Sequence, residues 1–325
     1  MTETVTSMRL GCLSTVREPN LLDGRLKLRH LRYSVAIAER GSLVAAADQL
    51  HITQPVVTRG LRELESILGV ELFERGPRGM TPTVCGDAFV DHARAVLTEL
   101  RRAGQHVAEI AGHTGKVTIG TFLAGANVLL PHAVAQLKRA QPNVTVVIHH
   151  GNPEALHHAL LEGSLDLIVG ALQPIHNLRL RQYPLYREPI RVVARTQHPA
   201  HALDNPTLAD LVDDLWSLPL ADSPLRQQLE QQFLRYGLPA PSNRVECHSF
   251  LSVRAIALEI DTLIALPQLV MQTEPGLAAL PLALDIVESV GVTLAAETPP
   301  TPAMRLMLHH LQLVADDIQR SLESS

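Results

Sequence analysis

The stretch from Ala45 to Arg75, AAADQLHITQPVVTRGLRELESILGVELFER, constrains the fold more tightly than any other part of the chain. Upstream of it, Leu31, Val35 and Ala38 share one helical face until Gly41-Ser42 breaks the helix and offers Ser42 as the next N-cap. Leu43, Ala46, Ala47 and Leu50 form a second, short apolar stripe, and His51-Ile52-Thr53 suits a turn between helices. Pro55 then falls in the first turn of a third helix, where its missing N–H costs little. Val57, Leu61, Leu64 and Leu68 carry that helix to a stop at Gly69. Small alanines let two helices cross at close range, as a helix-turn-helix requires. Two short strands, Val70 to Phe73 and Met80 to Val84, on either side of the basic Gly/Pro-rich tip 75–79, predict a hairpin or wing.

The polar residues left outside this packing form a pattern of their own. From Arg25 to Pro82 nine lysines and arginines oppose six acidic residues, a balance of +3 inside a chain whose formal charge is -5. Attraction to phosphate is the sequence-independent part of DNA affinity, so the asymmetry points to nucleic acid. Thr53, Gln54, Thr58 and Arg59 stand at the exposed start of the third helix. There Gln can pair with adenine and Arg with guanine in the major groove. Ser42, Pro55, Val57 and Arg62 complete the expected DNA-facing set, and Arg75 and Arg78 on the wing suit phosphates or the minor groove.

Next comes a long helix whose apolar positions, Phe89, Ala93, Val96, Leu100, Ala103, Val107 and Ile110, alternate spacings of four and three. Such a narrow stripe fits a single partner helix, most simply a second copy in a homodimer. A helix lying on its own domain gives similar periodicity. After Gly112–Gly115 the texture changes. Val117 to Phe122, Leu129 to Ala140, Val144 to His150, Pro153 to Glu162 and Leu165 to Ala171 alternate strand and helix, implying a mostly parallel sheet. A second round runs from Ile190 to Leu266, with strands near 190–195, 215–220, 244–247 and 262–266 and helices near 208–212, 224–236 and 250–258. Two α/β units in tandem leave a cleft in which a small ligand can sit.

Other classes find little support. The three cysteines, Cys12, Cys85 and Cys247, form no CxxC pair, and their odd count fits a reducing, cytoplasmic compartment. No apolar run near the start suggests a signal peptide, and none is long enough to span a membrane. The pairs His149-His150, His157-His158 and His309-His310 are adjacent rather than four apart, so no metal site is expected. A lone Cys247 in the back half does not favour a disulfide switch. G-x-S-x-G, P-loop and H-E-x-x-H are absent, so an enzyme is not expected. The rival reading is a solute-binding or enzymatic α/β protein with no DNA role.

The segment GSLVAAADQLHITQPVVTRGLRELESILGVELFERGPRGMTPTVCGDAF resembles the DNA-binding signature of the LysR-type transcriptional regulators. The matching letters are Gly41-Ser42, Ala46-Ala47, Leu50, Thr53-Gln54-Pro55, Thr58, Leu64-Glu65, Leu68-Gly69, Leu72-Phe73, Arg75, Thr83 and Gly86. Val44, Val56 and Thr58 depart from the commonest Thr, Ala and Ser, and bulkier Val56 could alter which base steps are tolerated. The resemblance implies a tail at 1–24, a winged helix-turn-helix at 25–84, a linker helix for dimerisation at 85–112 and an effector-binding domain at 113–325. The last would be similar to periplasmic binding proteins, with subdomain I at about 115–188 plus 299–325 and subdomain II at about 189–298, joined by two crossovers. Thr121, Phe122, Leu123, Asn152 and Ser223 match the family's cleft lining, and Arg226 could hold a carboxylate there. GRLKLRHLR also resembles the branch controlling sugar and aromatic-acid catabolism. The implied partners are double-stranded promoter DNA, a small metabolite in place of a cofactor, a second copy in a dimer or dimer of dimers, and RNA polymerase.

Overall fold

A computed structural model describes residues 20–76, 79–111, 115–175, 177–247, 249–296 and 298–323. It divides into two compact units, one ending at Gly104 and one beginning at Gln105, so the division falls within a continuous helix.

The first unit opens with α1 (Leu28–Arg40), α2 (Leu43–Leu50) and α3 (Gln54–Leu68). Gly41, with φ 61°, donates its N–H to the Ile37 carbonyl and turns the chain out of α1. Ser42 takes the extended N-cap conformation, but its side chain makes no capping hydrogen bond. His51 closes α2 in the left-handed region, and Gly69 closes α3 there at φ 72°. Ala46 and Ala47 are buried against Ile37, Val57, Leu61 and Leu64, so the small residues of α2 do serve the crossing. Gly60 serves a second one: a Cβ there would sit 2.3 Å from the Tyr33 ring of α1.

The wing consists of β1 (Phe73–Gly76) and β2 (Gly79–Pro82), paired antiparallel with Gly76 opposite Gly79. The first strand therefore starts three residues later than the pattern predicts, and the second ends two earlier. The reason is a side chain on α3. The Glu65 carboxylate accepts the Leu72 N–H at 2.9 Å and the N–H of Phe73, the first residue of β1, at 3.4 Å, anchoring the chain to α3 where the ladder begins. Thr83 fixes the other end, its hydroxyl donating to the Glu71 carbonyl and accepting from the Gly86 N–H. A Cβ at Gly86 would overlap the Leu72 carbonyl oxygen at 1.9 Å. Glu65, Thr83 and Gly86 are thus scaffold residues. The long helix α4 (Val84–Ile110) follows.

The second unit contains β3 (Lys116–Thr121), α5 (Leu123–Ala126), α6 (Leu129–Ala140), β4 (Thr145–His150), α7 (Pro153–Leu161) and β5 (Leu167–Ala171). The chain continues through β6 (Leu180–Arg195), α8 (Leu208–Leu211), β7 (Trp216–Leu218), α9 (Pro224–Arg235), β8 (Arg244–Glu246), α10 (Phe250–Glu259), β9 (Leu263–Pro267) and α11 (Gln268–Gln272). It ends with β10 (Leu277–Ala295) and α12 (Pro302–Glu323). One eight-stranded sheet runs β4-β3-β5-β10-β6-β9-β7-β8. Two parallel triplets, β4-β3-β5 and β9-β7-β8, are joined by the antiparallel pair β10-β6. Each triplet has its own core: one around Ile119, Leu129, Leu167 and Met307, the other around Trp216, Phe233 and Leu263.

The sheet is therefore more mixed than the alternating pattern predicts, because the 16-residue β6 and 19-residue β10 cross between the triplets. Neither was anticipated at full length, nor was α12. Pro184, Pro189 and Pro281 interrupt the crossing strands, and proline argues against a central strand. The structure absorbs them at irregularities of register between Ala279 and Val287 and between Val290 and Gly291. At the latter a Cβ on Gly291 would lie 2.2 Å from the Tyr183 carbonyl oxygen.

Glu65→Ala leaves two backbone N–H groups of the wing without their acceptor and is expected to cost about 2 kcal/mol. Urea denaturation followed by a signal from the first unit checks this; an unchanged midpoint contradicts it.

Candidate functional site

Two regions gather polar groups that the fold does not consume. The first is the outer face of α3. Thr53, Gln54, Pro55, Val56, Arg59 and Arg62 are exposed, while Val57, Gly60, Leu61 and Leu64 of the same helix are buried. The Thr58 hydroxyl donates to the Gln54 carbonyl at 3.0 Å and accepts from the Gln54 amide at 3.3 Å, steadying that side chain along the helix. Ser42 is half-buried at the start of α2, and Arg75 is exposed on β1. Arg78 lies outside the described residues. Val57 corrects the expectation: it is completely buried in the core of the first unit and cannot reach a ligand.

Arg59 and Arg62 share a shallow basin with Arg25, Lys27 and Arg29, which the sequence counted as charges but did not place together. Glu63 organises its rim, 3.1 Å from Arg29 Nη2 and 3.2 Å from Nε2 of the buried His30. The hydrogen bond from His30, then that from Arg29, holds the Glu63 carboxyl below its usual range. The basin is net positive and open.

On α4 the expected apolar stripe divides. Phe89 packs against the core of the first unit and Ala93 is buried. Val96, Leu100, Ala103, Val107 and Ile110 are exposed, Val107 by 67% and Ile110 by 74%. Packing of the first unit accounts for the two N-terminal members only.

The second region is a cavity of about 180 Å³ within the second unit, between its two parallel triplets. The ends of β3, β4, β7 and β9 and the starts of α5, α7, α9 and α10 surround it. Phe122, Leu123, Asn152 and Ser223 line it as expected. Asn152 uses its side-chain oxygen to cap α7 on the Ala155 N–H, and Ser223 makes no side-chain cap on α9. Thr121 and Arg226 do not line it. Thr121 is buried and its hydroxyl donates to the Val169 carbonyl at 2.8 Å, inside the sheet. Arg226 is held by Glu230, Glu246 and the Pro219 carbonyl. Sequence reasoning missed Gln173, Ser217, Phe250, Leu266 and Glu288, which come from strand ends and a crossing strand far apart in the chain.

Comparison with known proteins bears on both regions. Residues 28–87 match the family model described as bacterial regulatory helix-turn-helix protein, lysR family, and residues 111–315 match the LysR substrate binding domain. The chain belongs to the LysR family of transcriptional regulators. It is 32% identical to the HTH-type transcriptional regulator GbpR of Azospirillum brasilense, over 93% of this chain and 91% of that one. It is also 32% identical to the regulator PcaQ of Agrobacterium fabrum, over 92% of this chain and 98% of that one. Among solved structures, full-length OxyR from Pseudomonas aeruginosa is similar with a TM-score of 0.63 at 25% identity, over 88% of this chain and 98% of that one. CbnR, titled a LysR family transcriptional regulator, shares the fold with a TM-score of 0.62 at 22% identity, over 89% of this chain and 99% of that one.

Behind the regulator's cleft, on the crossing strands, lies a buried polar cluster from which Glu288 reaches the cavity. Glu188 of β6 stands directly opposite Glu288 of β10. Opposed residues share a face of an antiparallel pair, and so does Tyr186, two positions along. Glu188 Oε2 accepts the Leu269 N–H at 3.2 Å, but Oε1 is buried without a partner. The Tyr186 hydroxyl lies near this carboxyl without hydrogen-bond geometry. Burial pushes Glu188 up to about 7, offset in part by the Leu269 N–H and reinforced by the charge of Glu288. Burial alone pushes Glu288 up to about 7. It also raises the Tyr186 hydroxyl, with help from both carboxylates. Among the described residues, no helix is long and apolar enough to cross a membrane.

A carboxyl raised in the folded state keeps its proton while the unfolded chain has lost it, so it destabilises the fold as pH rises from about 4.5 through about 7. His157 and His198, lowered by burial, act in the opposite sense. The informative quantity is therefore a difference. Glu188→Gln should gain thermal stability relative to the parent as pH increases from 5 to 8, and a constant offset across that range contradicts the assignment.

Proposed function

We propose that the protein is a cytoplasmic, homodimeric regulator that reads promoter DNA with α3 and is switched by a small molecule in the cleft of its second unit. In this reading, residues 25–84 bind DNA, 85–112 dimerise and 113–325 sense the effector, and no catalytic step is involved. The observation that carries the reading is the division of labour along α3: Leu61 and Leu64 are buried while Thr53, Gln54, Arg59 and Arg62 face outward. A helix-turn-helix sets the N-terminal residues of its second helix against base edges. Gln54 and Arg59 are suited to bidentate contacts with adenine and guanine. Ser42, Pro55 and Thr58 position them, and Arg62, Arg75 and the basin of Arg25, Lys27 and Arg29 supply phosphate contacts.

The exposed residues Val96, Leu100, Ala103, Val107 and Ile110 supply the dimer contact, at coiled-coil spacing. Two copies then present their recognition helices about one turn of DNA apart, or a multiple of it. Dimers pair further into tetramers, and RNA polymerase is the partner through which transcription changes. Phe122, Leu123, Asn152 and Ser223 contact the effector. Closure of the two triplets about it shifts the population between arrangements that bend DNA differently. A helix-turn-helix on a chain of this family has no place in a free solute-binding protein, which disfavours the rival reading.

Gln54→Ala should lose about 1–3 kcal/mol of discrimination against DNA fragments selected from a random pool by the parent protein. Equal affinity of parent and variant for those fragments, read by mobility shift, contradicts the assignment of α3. Leu100→Asp should shift the sedimentation of the full chain toward monomer; a variant that remains dimeric with full DNA affinity removes the α4 contact from the account.

A further inference from the structure

The charge of the cleft is one-sided. Among its described lining residues Asp222 and Glu288 are acidic, His150 is the one basic group, and lysine and arginine are absent. The guanidinium nearest in sequence is committed elsewhere. Arg226, 5% exposed, sends Nε to Glu230 at 2.7 Å, Nη1 to the Pro219 carbonyl at 3.0 Å and Nη2 to Glu246 at 3.2 Å. Turning it toward a ligand would break all three of these bonds. A ligand whose sole polar group is a carboxylate therefore meets no cation among the described lining residues.

Glu288 is the acidic lining group that is held away from solvent without a partner, whereas Asp222 is exposed. It is half-buried and makes no hydrogen bond or ion pair among the described residues. Behind it, Glu188 Oε1 and the Tyr186 hydroxyl are also unsatisfied, so neither relieves it. A partly buried acceptor with no donor costs stability, and a ligand that supplies the donor recovers that cost on binding. Phe122, Leu123, Leu225, Phe250, Val253 and Leu266 give the rest of the cleft an apolar wall.

We propose that Glu288 is the specificity-determining residue of the cleft, accepting a hydrogen bond from an ammonium or hydroxyl group on a small apolar molecule. The assignment rests on the reading of the cleft as the effector site and names the chemistry of what enters it. Glu288 faces Glu188 and Tyr186 of β6, and the other titratable groups among the described lining residues are His150 at the end of β4, Asp222 before α9 and Cys247 after β8. None of these is a fixed positive charge. Because burial holds Glu288 near 7, an ammonium ligand binds best above that pH and loses its charge contact as the carboxyl takes up a proton.

The test compares benzylamine, benzyl alcohol and benzoate, which share one apolar body and differ in the head group. Thermal shift and calorimetry of the full chain at pH 8.5 and 5.5 should rank benzylamine first and benzoate last at pH 8.5. The advantage of benzylamine should narrow at pH 5.5. Glu288→Gln, close in size and without charge, should weaken benzylamine at least fivefold at pH 8.5. Benzoate ranking first, or benzylamine binding unchanged in Glu288→Gln, overturns the assignment. If benzoate ranks first and Ser217→Trp, which fills the cleft, abolishes its shift, the cleft survives as the effector site and the role of Glu288 alone falls. If none of the three stabilises the parent chain, both readings fall together. The ranking on the parent chain needs no variant, so a poorly folding substitution cannot leave the question open.

Discussion

The antiparallel pairing of β6 with β10 is the constraint on which the sensing unit depends. β10 pairs with β5 of one parallel triplet and β6 with β9 of the other, so the two α/β bodies share a single sheet. That arrangement leaves their facing strand ends and helix starts around a cavity, the place where open α/β sheets bind ligands. It also sets the polar cluster behind the cavity, because residues opposed on the crossing strands must lie side by side. Glu188 and Glu288 are opposed in this way, and repulsion between them is built into the register.

A comparable economy governs the first unit. One glutamate on α3 holds the wing by its backbone, one threonine closes the base of the wing, Gly86 allows the close approach to the Leu72 carbonyl, and Gly60 the crossing of α3 with Tyr33 of α1. These residues fill much of the family signature, yet none is suited to reading bases. The residues that remain, at the start of α3, are free to vary in what they contact because the scaffold does not use their side chains.

Much of this was legible in the sequence, for physical reasons that also explain the gaps. The helices α1 to α3 follow from local periodicity and from turn residues such as Gly41, Pro55 and Gly69, whose preferences act within a few positions. The alternating strands and helices from β3 to β9 were readable on the same grounds. The crossing strands were not, because prolines hide their pattern and their pairing joins residues about a hundred positions apart. The cleft suffered likewise. Glu288 sits on an unread strand, and Arg226 looked available because Glu246, twenty residues later, could not be placed beside it. Thr121 is the last residue of β3, and its hydroxyl is turned onto the Val169 carbonyl of the neighbouring strand, a pairing local pattern does not reveal. Val57 was grouped with the DNA-facing residues from its place in the first turns of α3, although helical spacing already set it in line with Leu61 and Leu64.

The central claim is that the cleft and the DNA-reading surface are coupled. Coupling is reciprocal in free energy, so DNA must alter the cleft just as an effector alters DNA affinity. Hydrogen exchange of the full chain, with and without a DNA fragment selected by the protein, measures this without knowledge of the effector. The expected result is a DNA-dependent change in protection of the amides of β9 and of residues 286–290 on β10. Unchanged exchange there, at saturating DNA, would contradict the claim.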